Sequence, residues 1–268
     1  MSYPILLRAV VIDADNKNIR FKEGASTSTL SLAEGTYYLR GDGTADDLLK
    51  AIKDAFDAAG ATNTYTVAIA WSADPAGVSA VITITQTGGA TFQILWADAA
   101  TTFTSTWLGF ADANTADSTA AKTSTLSPSL AWVSDGPYAE NEPVDRPQGT
   151  VQRARSRRAK RTKTGNTGKD RVLGVSFVAA ARTHQQFASG GDTARCFNMF
   201  LDELREGPPF ELHLVDTTTG FTLASTTSST KQATLVLGEE GDAEFRPRRQ
   251  SNGVQLYSFA VECWEYVA

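Results

Sequence analysis

The chain has 268 residues, 41% of them hydrophobic and 21% charged, with a net charge of −5. That is material for about two domains with buried cores. The acidic balance argues against a dedicated nucleic-acid binder, and no apolar run approaches the roughly 20 residues of a membrane-spanning helix.

The start, MSYPILLRAVVIDAD, has Arg8 inside its apolar run and no small-residue cleavage site, so it reads as a first strand and not as a signal peptide. Pro4 to Asp13 is a predicted strand with Ile5, Leu7, Ala9 and Val11 on one face. Asp13 to Asn18 is a turn cluster, and Ile19–Lys22 is its candidate return strand. After Ser/Thr-rich Ala25–Leu32 and a short strand GTYYLR, Gly41-Asp42-Gly43 breaks the chain. A helix follows, with Thr44 as N-cap and Asp46 and Asp47 in its first turn. Its apolar stripe is Leu48, Leu49, Ile52, Ala55, Phe56 and Ala59, and Gly60 is placed to end it. A three-strand meander comes next. Tyr65–Trp71 alternates, a turn at Asp74–Gly77 leads to Ala80–Gln86, and Gly88-Gly89 leads into Thr91–Phe110. That last stretch, TFQILWADAATTFTSTWLGF, puts Phe92, Ile94 and Trp96 on one strand face and closes on Trp107-Leu108-Gly109-Phe110, a core-forming pattern.

Asp112–Ser127 is small and polar apart from Leu126 and reads as a linker or long surface loop. Apolar character resumes at Leu130 and Trp132, before an irregular acidic stretch with Asp135, Glu140, Glu142 and Asp145. Val151–Arg171 is the most biased segment. It carries Arg153, Arg155, Arg157, Arg158, Lys160, Arg161, Lys163, Lys169 and Arg171 against Asp170 alone. Three readings stand: a protein interface or lumen lining, a solvated strand or hairpin, or a nucleic-acid contact. The flanking acids favour the first, as partners on a neighbouring copy, and the lack of interleaved aromatics argues against a base-stacking platform. Arg153, Arg155 and Arg157 alternate as on one strand face, with a turn at Gly165–Gly168.

Val172–Ala180 is a predicted buried strand. A second helix is capped by Asp192 and stopped by Gly207-Pro208-Pro209, with Cys196, Phe197, Phe200, Leu201 and Leu204 as its apolar face. Phe210–Val215 alternates Phe210, Leu212 and Leu214 inward, which puts His213 on the outer face. Phe221–Leu223, Thr234–Leu237 and Phe245–Arg249 are strand candidates. Asn252-Gly253 is the best hairpin signal, and Leu256–Tyr266 is the closing strand. Cys196 and Cys263 read as small buried hydrophobes, with a disulfide left open.

No catalytic signature stands out. His184 and His213 lack partners at metal-ligand spacing. Gly41–Thr44 lacks the lysine of a phosphate loop and is read as a turn with a helix cap. Asp13, Asp15 and Asn16 do not extend into a calcium loop. No nucleophile elbow or zinc-protease pair occurs. The fold class is therefore α+β and β-rich: an antiparallel sheet with one helix in residues 1–125, and a β-sandwich or barrel with one helix in residues 126–268.

The F-x-I-x-W run followed by L-G-F resembles a pattern in structural proteins of viruses and tailed phages. The order of basic segment, VLGVSFVAA, DTARCFNMFLDELREG, PFELHLVD and VQLYSFAVECWEYV is similar to the tail-tube-like and distal-tail family of tailed bacteriophages. This resemblance covers roughly residues 128–268. It implies a tail-tube-like sandwich that assembles into hexameric rings, with a protruding loop reaching the next ring and residues 1–125 as an outer, decorating module. It also implies a virion-tail location after assembly in the host cytoplasm. The implied partners are copies of itself, other tail proteins and passing DNA, with no membrane, small-molecule substrate, cofactor or enzymatic activity. The chain is longer than a minimal tube subunit, which keeps distal-tail and neck roles open. A nucleic-acid-binding module using Arg153 to Lys163 and a trimeric carbohydrate-directed appendage are the rival readings.

Overall fold

The computed structural model describes residues 2–71, 80–133, 138–147, 150–153, 159–162, 169–180, 193–216, 231–237, 244–247 and 257–265. In chain order the elements are β1 (Ser2–Leu7), β2 (Val10–Ile12), β3 (Asn18–Glu23), β4 (Ser26–Ser31), β5 (Gly35–Tyr37), α1 (Leu48–Ala58), β6 (Thr64–Trp71), β7 (Ala80–Thr87), β8 (Phe92–Ile94), β9 (Lys122–Thr123) and β10 (Ala131–Val133). They continue with β11 (Tyr138–Pro147), β12 (Thr150–Arg153), β13 (Ala159–Thr162), β14 (Lys169–Ala180), α2 (Thr193–Glu206), β15 (Phe210–Asp216), β16 (Lys231–Leu237), β17 (Glu244–Pro247) and β18 (Tyr257–Glu265). The protein is thus β-rich α+β, with antiparallel sheets and two α-helices among the described residues.

The largest sheet has eight strands in the order β10-β1-β15-β16-β18-β14-β11, with β17 added on β18. It bends until Cα atoms of β1 and β11 lie within 8 Å of each other. Its end strands do not pair, so no barrel closes among the described residues. Its β1 comes from the N-terminal stretch. Leu7 and Ala131 are register partners on neighbouring strands, and the Arg8 N–H donates to the Leu130 carbonyl at 2.8 Å. Residues 8–130 therefore leave the sheet and return to it at one point, as a unit inserted between adjacent strands.

The inserted unit has its own core. Helix α1 buries Leu48, Leu49, Ile52, Ala55 and Phe56, as its spacing predicts, and Gly60 follows with φ 65°. Its N-cap is Asp47 and not Thr44. Thr44 is spent elsewhere, its hydroxyl and N–H both bonded to Asp42. The stripe packs on an aromatic chain in which Phe56 and Tyr65 stack at 4.1 Å while Phe21 and Phe92 meet Tyr65 edge-on. Such pairs add about 0.5–1.5 kcal/mol each beyond their burial. Phe92, Ile94, Trp96, Phe103, Leu108 and Phe110 are all buried, so Thr91–Phe110 is core material. Gly109 closes it at φ 75°, where an added Cβ would lie 2.1 Å from the Leu126 carbonyl oxygen.

Several expectations are corrected. Pro4–Asp13 is two strands, because the chain passes from one sheet to another at Arg8-Ala9. The inward phase shifts by one there, burying Val10 and Ile12 and exposing Val11. Ile19–Lys22 pairs with β4 and β8, not with the first strand. The meander does not form, since β8 joins β3 while β7 takes β9 as its second partner. Asp112–Ser127 is a long and largely exposed loop, as one of its two readings had it, and not a linker. Ser118 exchanges backbone bonds with Phe92, Ser124 bonds Ile82, and Leu126 bonds Gly109. Lys122, 5% exposed, sits over the Phe92 ring at 4.4 Å and donates to the Ser118 hydroxyl at 2.8 Å. The acidic stretch after Asp135 enters β11, paired with β14 through a bulge between Asn141 and Val144. The Asp74–Gly77, Asn252-Gly253, Asp192 and Phe221–Leu223 expectations lie outside the described residues, as do the side chains of both cysteines.

Both faces of the large sheet are covered near β1. On one face, Leu6, Trp132 and Leu212 are register neighbours, and Phe200 of α2 lies 5.8 Å from Trp132. Phe200, Leu201 and Leu204 are buried as the helical spacing predicts. On the other face, Ile5, Leu7, Ala131 and Val133 meet Trp71 and Ala80 of the β6–β7 hairpin. Glu211 and His213 stand on that second face, opposite Leu7 and Ile5 in the register.

Candidate functional site

Two charged features dominate: the basic segment and a buried cluster where the inserted unit meets the sheet. Arg153 lies in β12, Lys160 and Arg161 in β13, and Lys169 and Arg171 at the start of β14. Arg155, Arg157, Arg158 and Lys163 are outside the described residues, as is the turn expected at Gly165–Gly168. β12 and β13 form a two-stranded antiparallel ribbon in which Arg153 faces Ala159, Gln152 faces Lys160 and Val151 faces Arg161. In sequence the ribbon lies between β11 and β14, which pair with each other, and there Asp145 is the register partner of Arg171 and Arg146 of Asp170. Asp145 thus has an intrachain register position beside the basic segment.

The charge is segregated. Residues 151–171 hold nine of the 25 basic residues and one of the 30 acidic residues. The segment therefore carries +8 and the remainder of the chain −13. A protein of modest net charge thus combines a strongly positive segment with a strongly negative remainder.

The buried cluster is built from Arg40, which follows the short strand β5, and from Glu211 and His213 of β15. Arg40 and Glu211 are each 1% exposed and His213 is fully buried, which corrects the outward placement of His213. β15 is covered on both faces, so its alternation separates an apolar layer from a polar one, and neither reaches water. Arg40 Nε and one terminal nitrogen donate to the two Glu211 oxygens at 2.8 and 2.7 Å. Its two terminal nitrogens also donate to Asp46 at 2.7 and 2.8 Å, and one to Thr44 at 3.1 Å. The guanidinium lies 4.7 Å from the Tyr38 ring centroid, and the Tyr38 hydroxyl donates to the Pro209 carbonyl at 2.8 Å. His213 Nε2 lies within hydrogen-bonding distance of a Glu211 oxygen, at 3.0 Å.

Burial alone would lower the Arg40 pKa. The hydrogen bonds and charges of Glu211 and Asp46 outweigh it and hold the pKa above the ordinary arginine value. Burial would likewise raise the Asp46 carboxyl, yet the bonds and charge of Arg40 hold it below the ordinary value. Asp47 moves the other way: burial raises it although it accepts backbone N–H bonds from Gly43, Gly41 and Leu49. Those three donors are the ones an anion at this helix start would need, so the glycine turn serves the cap.

The sequence did not single out Arg40, Asp46, Glu211 or His213 as a group. The one local signal was Glu and His alternating with Leu in FELHLV, a pattern shared by any half-exposed strand. Among the described residues no group of three or more His, Cys, Asp or Glu is placed to hold a metal ion, and no helix is long and apolar enough to cross a membrane. No protein-family model, curated protein or solved structure matches the chain.

Proposed function

We propose that the protein is a structural subunit of a tailed-phage virion, a tail-tube-like protein that assembles into rings through which DNA passes. Six copies per ring is the number the resemblance implies, and the virion tail is its place after assembly in the host cytoplasm. In this reading the second half is a tail-tube-like sandwich, the inserted unit is an outer module, and the protein carries no enzymatic activity. The observation that carries the reading is the segregation of charge, +8 in residues 151–171 against −13 in the remainder of the chain. Complementary potentials steer and register copies of one chain. A sheet of eight strands whose two ends are unpaired among the described residues adds support, because assembly covers strand edges that a monomer leaves open. Distal-tail and neck positions use the same features and differ in which tail proteins are the neighbours.

Negative-stain microscopy with native mass determination, over a concentration and salt series, tests this. Rings or tubes that dissociate at high salt, and that are lost when Arg153, Lys160 and Arg161 become Glu, are the expected result. A monomer at high concentration and low salt overturns it.

One observation favours a second reading. A basic two-stranded ribbon fits the major groove of duplex DNA, so the basic segment would serve a nucleic-acid-binding module. That reading requires affinity falling steeply with salt, with a slope that flattens as the segment's cations are removed.

A further inference from the structure

We propose that the junction between residues 8–130 and the large sheet is built to open, so that the inserted unit undocks as a body and pivots on the Leu7–Ala131 crossing. The inference stands apart from the assembly reading and rests on what joins the two parts.

Among the described residues no strand pairing connects the unit to the eight-stranded sheet. The chain crosses only where Leu7 and Ala131 face each other, which gives two neighbouring tethers. The apolar part of the junction sets Trp71 and Ala80, with Tyr38 and Ile69 beside them, against Ile5, Leu7, Ala131 and Val133. It is a cluster distinct from the unit's own core around Phe21, Phe56, Tyr65 and Trp96, and Ile69 touches both. Undocking therefore divides the junction cluster and leaves the unit's own core in place.

The rest of the junction is charged. Bringing Arg40 and Glu211 out of water consumes most of what their attraction returns, so a buried ion pair holds an interface less firmly than apolar side chains of similar volume. Water restores both charges when the interface parts. Each side also keeps a partner of its own. Arg40 retains Asp46, bonded through both terminal nitrogens, and Glu211 retains His213 two residues along the same strand. The Arg40 Nε, the Tyr38 hydroxyl and the Pro209 carbonyl, which bond across the junction, turn to water.

Hydroxyl-radical footprinting of the full chain, read residue by residue, tests this. Trp71 at the junction is 7% exposed and Trp96 in the unit's core 4%, so static exposure barely separates them. Undocking oxidises Trp71 well above Trp96. Arg40→Met combined with Glu211→Leu firms the junction and lowers Trp71 oxidation at least about fivefold, leaving Trp96 unchanged. Equal oxidation of the two tryptophans in the native chain, or increased Trp71 oxidation in the double variant, overturns the proposal. Should the double variant fail to fold, the urea dependence of labelling in the native chain decides. A partial opening exposes less surface, so Trp71 labelling must rise with a shallower slope than Trp96 labelling. Equal slopes overturn it.

Discussion

Arg40 shows what a single buried charge demands of its surroundings. Replacing it with Met strands Glu211 in a site where it is 1% exposed, and we expect a loss of about 3–5 kcal/mol in urea unfolding. Asp46 gives a pH signature. Its folded pKa lies below its ordinary value, so its contribution is complete above that value, near 3.8, and is lost as pH falls through the folded pKa. The Asp46→Asn variant should therefore lose less stability than the native chain on acidification below about pH 4. Glycine positions separate two effects. Gly24 has φ 56° and open space around its Cβ direction, whereas Gly109 has φ 75° and the Leu126 carbonyl in the way. Gly24→Ala should cost about 1 kcal/mol from backbone conformation alone. Gly109→Ala should cost clearly more, because Leu126 must move, and paired thermal melts check the order.

At the scale of elements, α1 depends on Asp47, whose side chain gathers the N–H groups of Gly41, Gly43 and Leu49. Asp47→Ala should destabilise the unit by about 1–2 kcal/mol, whereas Thr44→Ala should cost less, because Thr44 does not cap the helix. Circular dichroism melts of the two variants decide. This pair also marks what the sequence made legible. The stripe from Leu48 to Phe56 has one solution, since only a helix brings those positions to one face, and it reads true. The cap does not, because Thr44, Asp46 and Asp47 are all chemically fit to cap. Only the fold of the glycine turn selects among them. Strand existence was readable from alternation in Tyr65–Trp71 and Phe210–Val215, but strand partners were not, as the pairing of β8 with β3 shows. The buried cluster stayed hidden because Arg40 and Glu211 are 171 residues apart, and because a polar layer facing an inserted unit is written in the same alphabet as one facing water. The basic segment was legible as composition, and its pairing of Gln152 with Lys160 came only from the structure.

At the scale of the molecule, the insertion between β1 and β10 sets the order in which the chain can be completed on a ribosome. β1 is made first, yet its main partner β15 begins at Phe210, 77 residues after β10 ends at Val133. At 5–20 residues per second that interval is roughly 4 to 15 s. During it, residues 8–130 have everything their core requires, while β1 has only the three residues of β10 as a strand partner, with Ile5 and Leu7 resting on Trp71 and Ala80 of the unit. The inserted unit is thus the first part of the nascent protein able to fold, and it does so while holding an unfinished strand beside its exit point. When β15 emerges, it meets β1 and β10 already brought together by a folded body. That body carries Arg40 ready to receive Glu211, so the late strand arrives at a prepared place and the growing chain is spared a search for it.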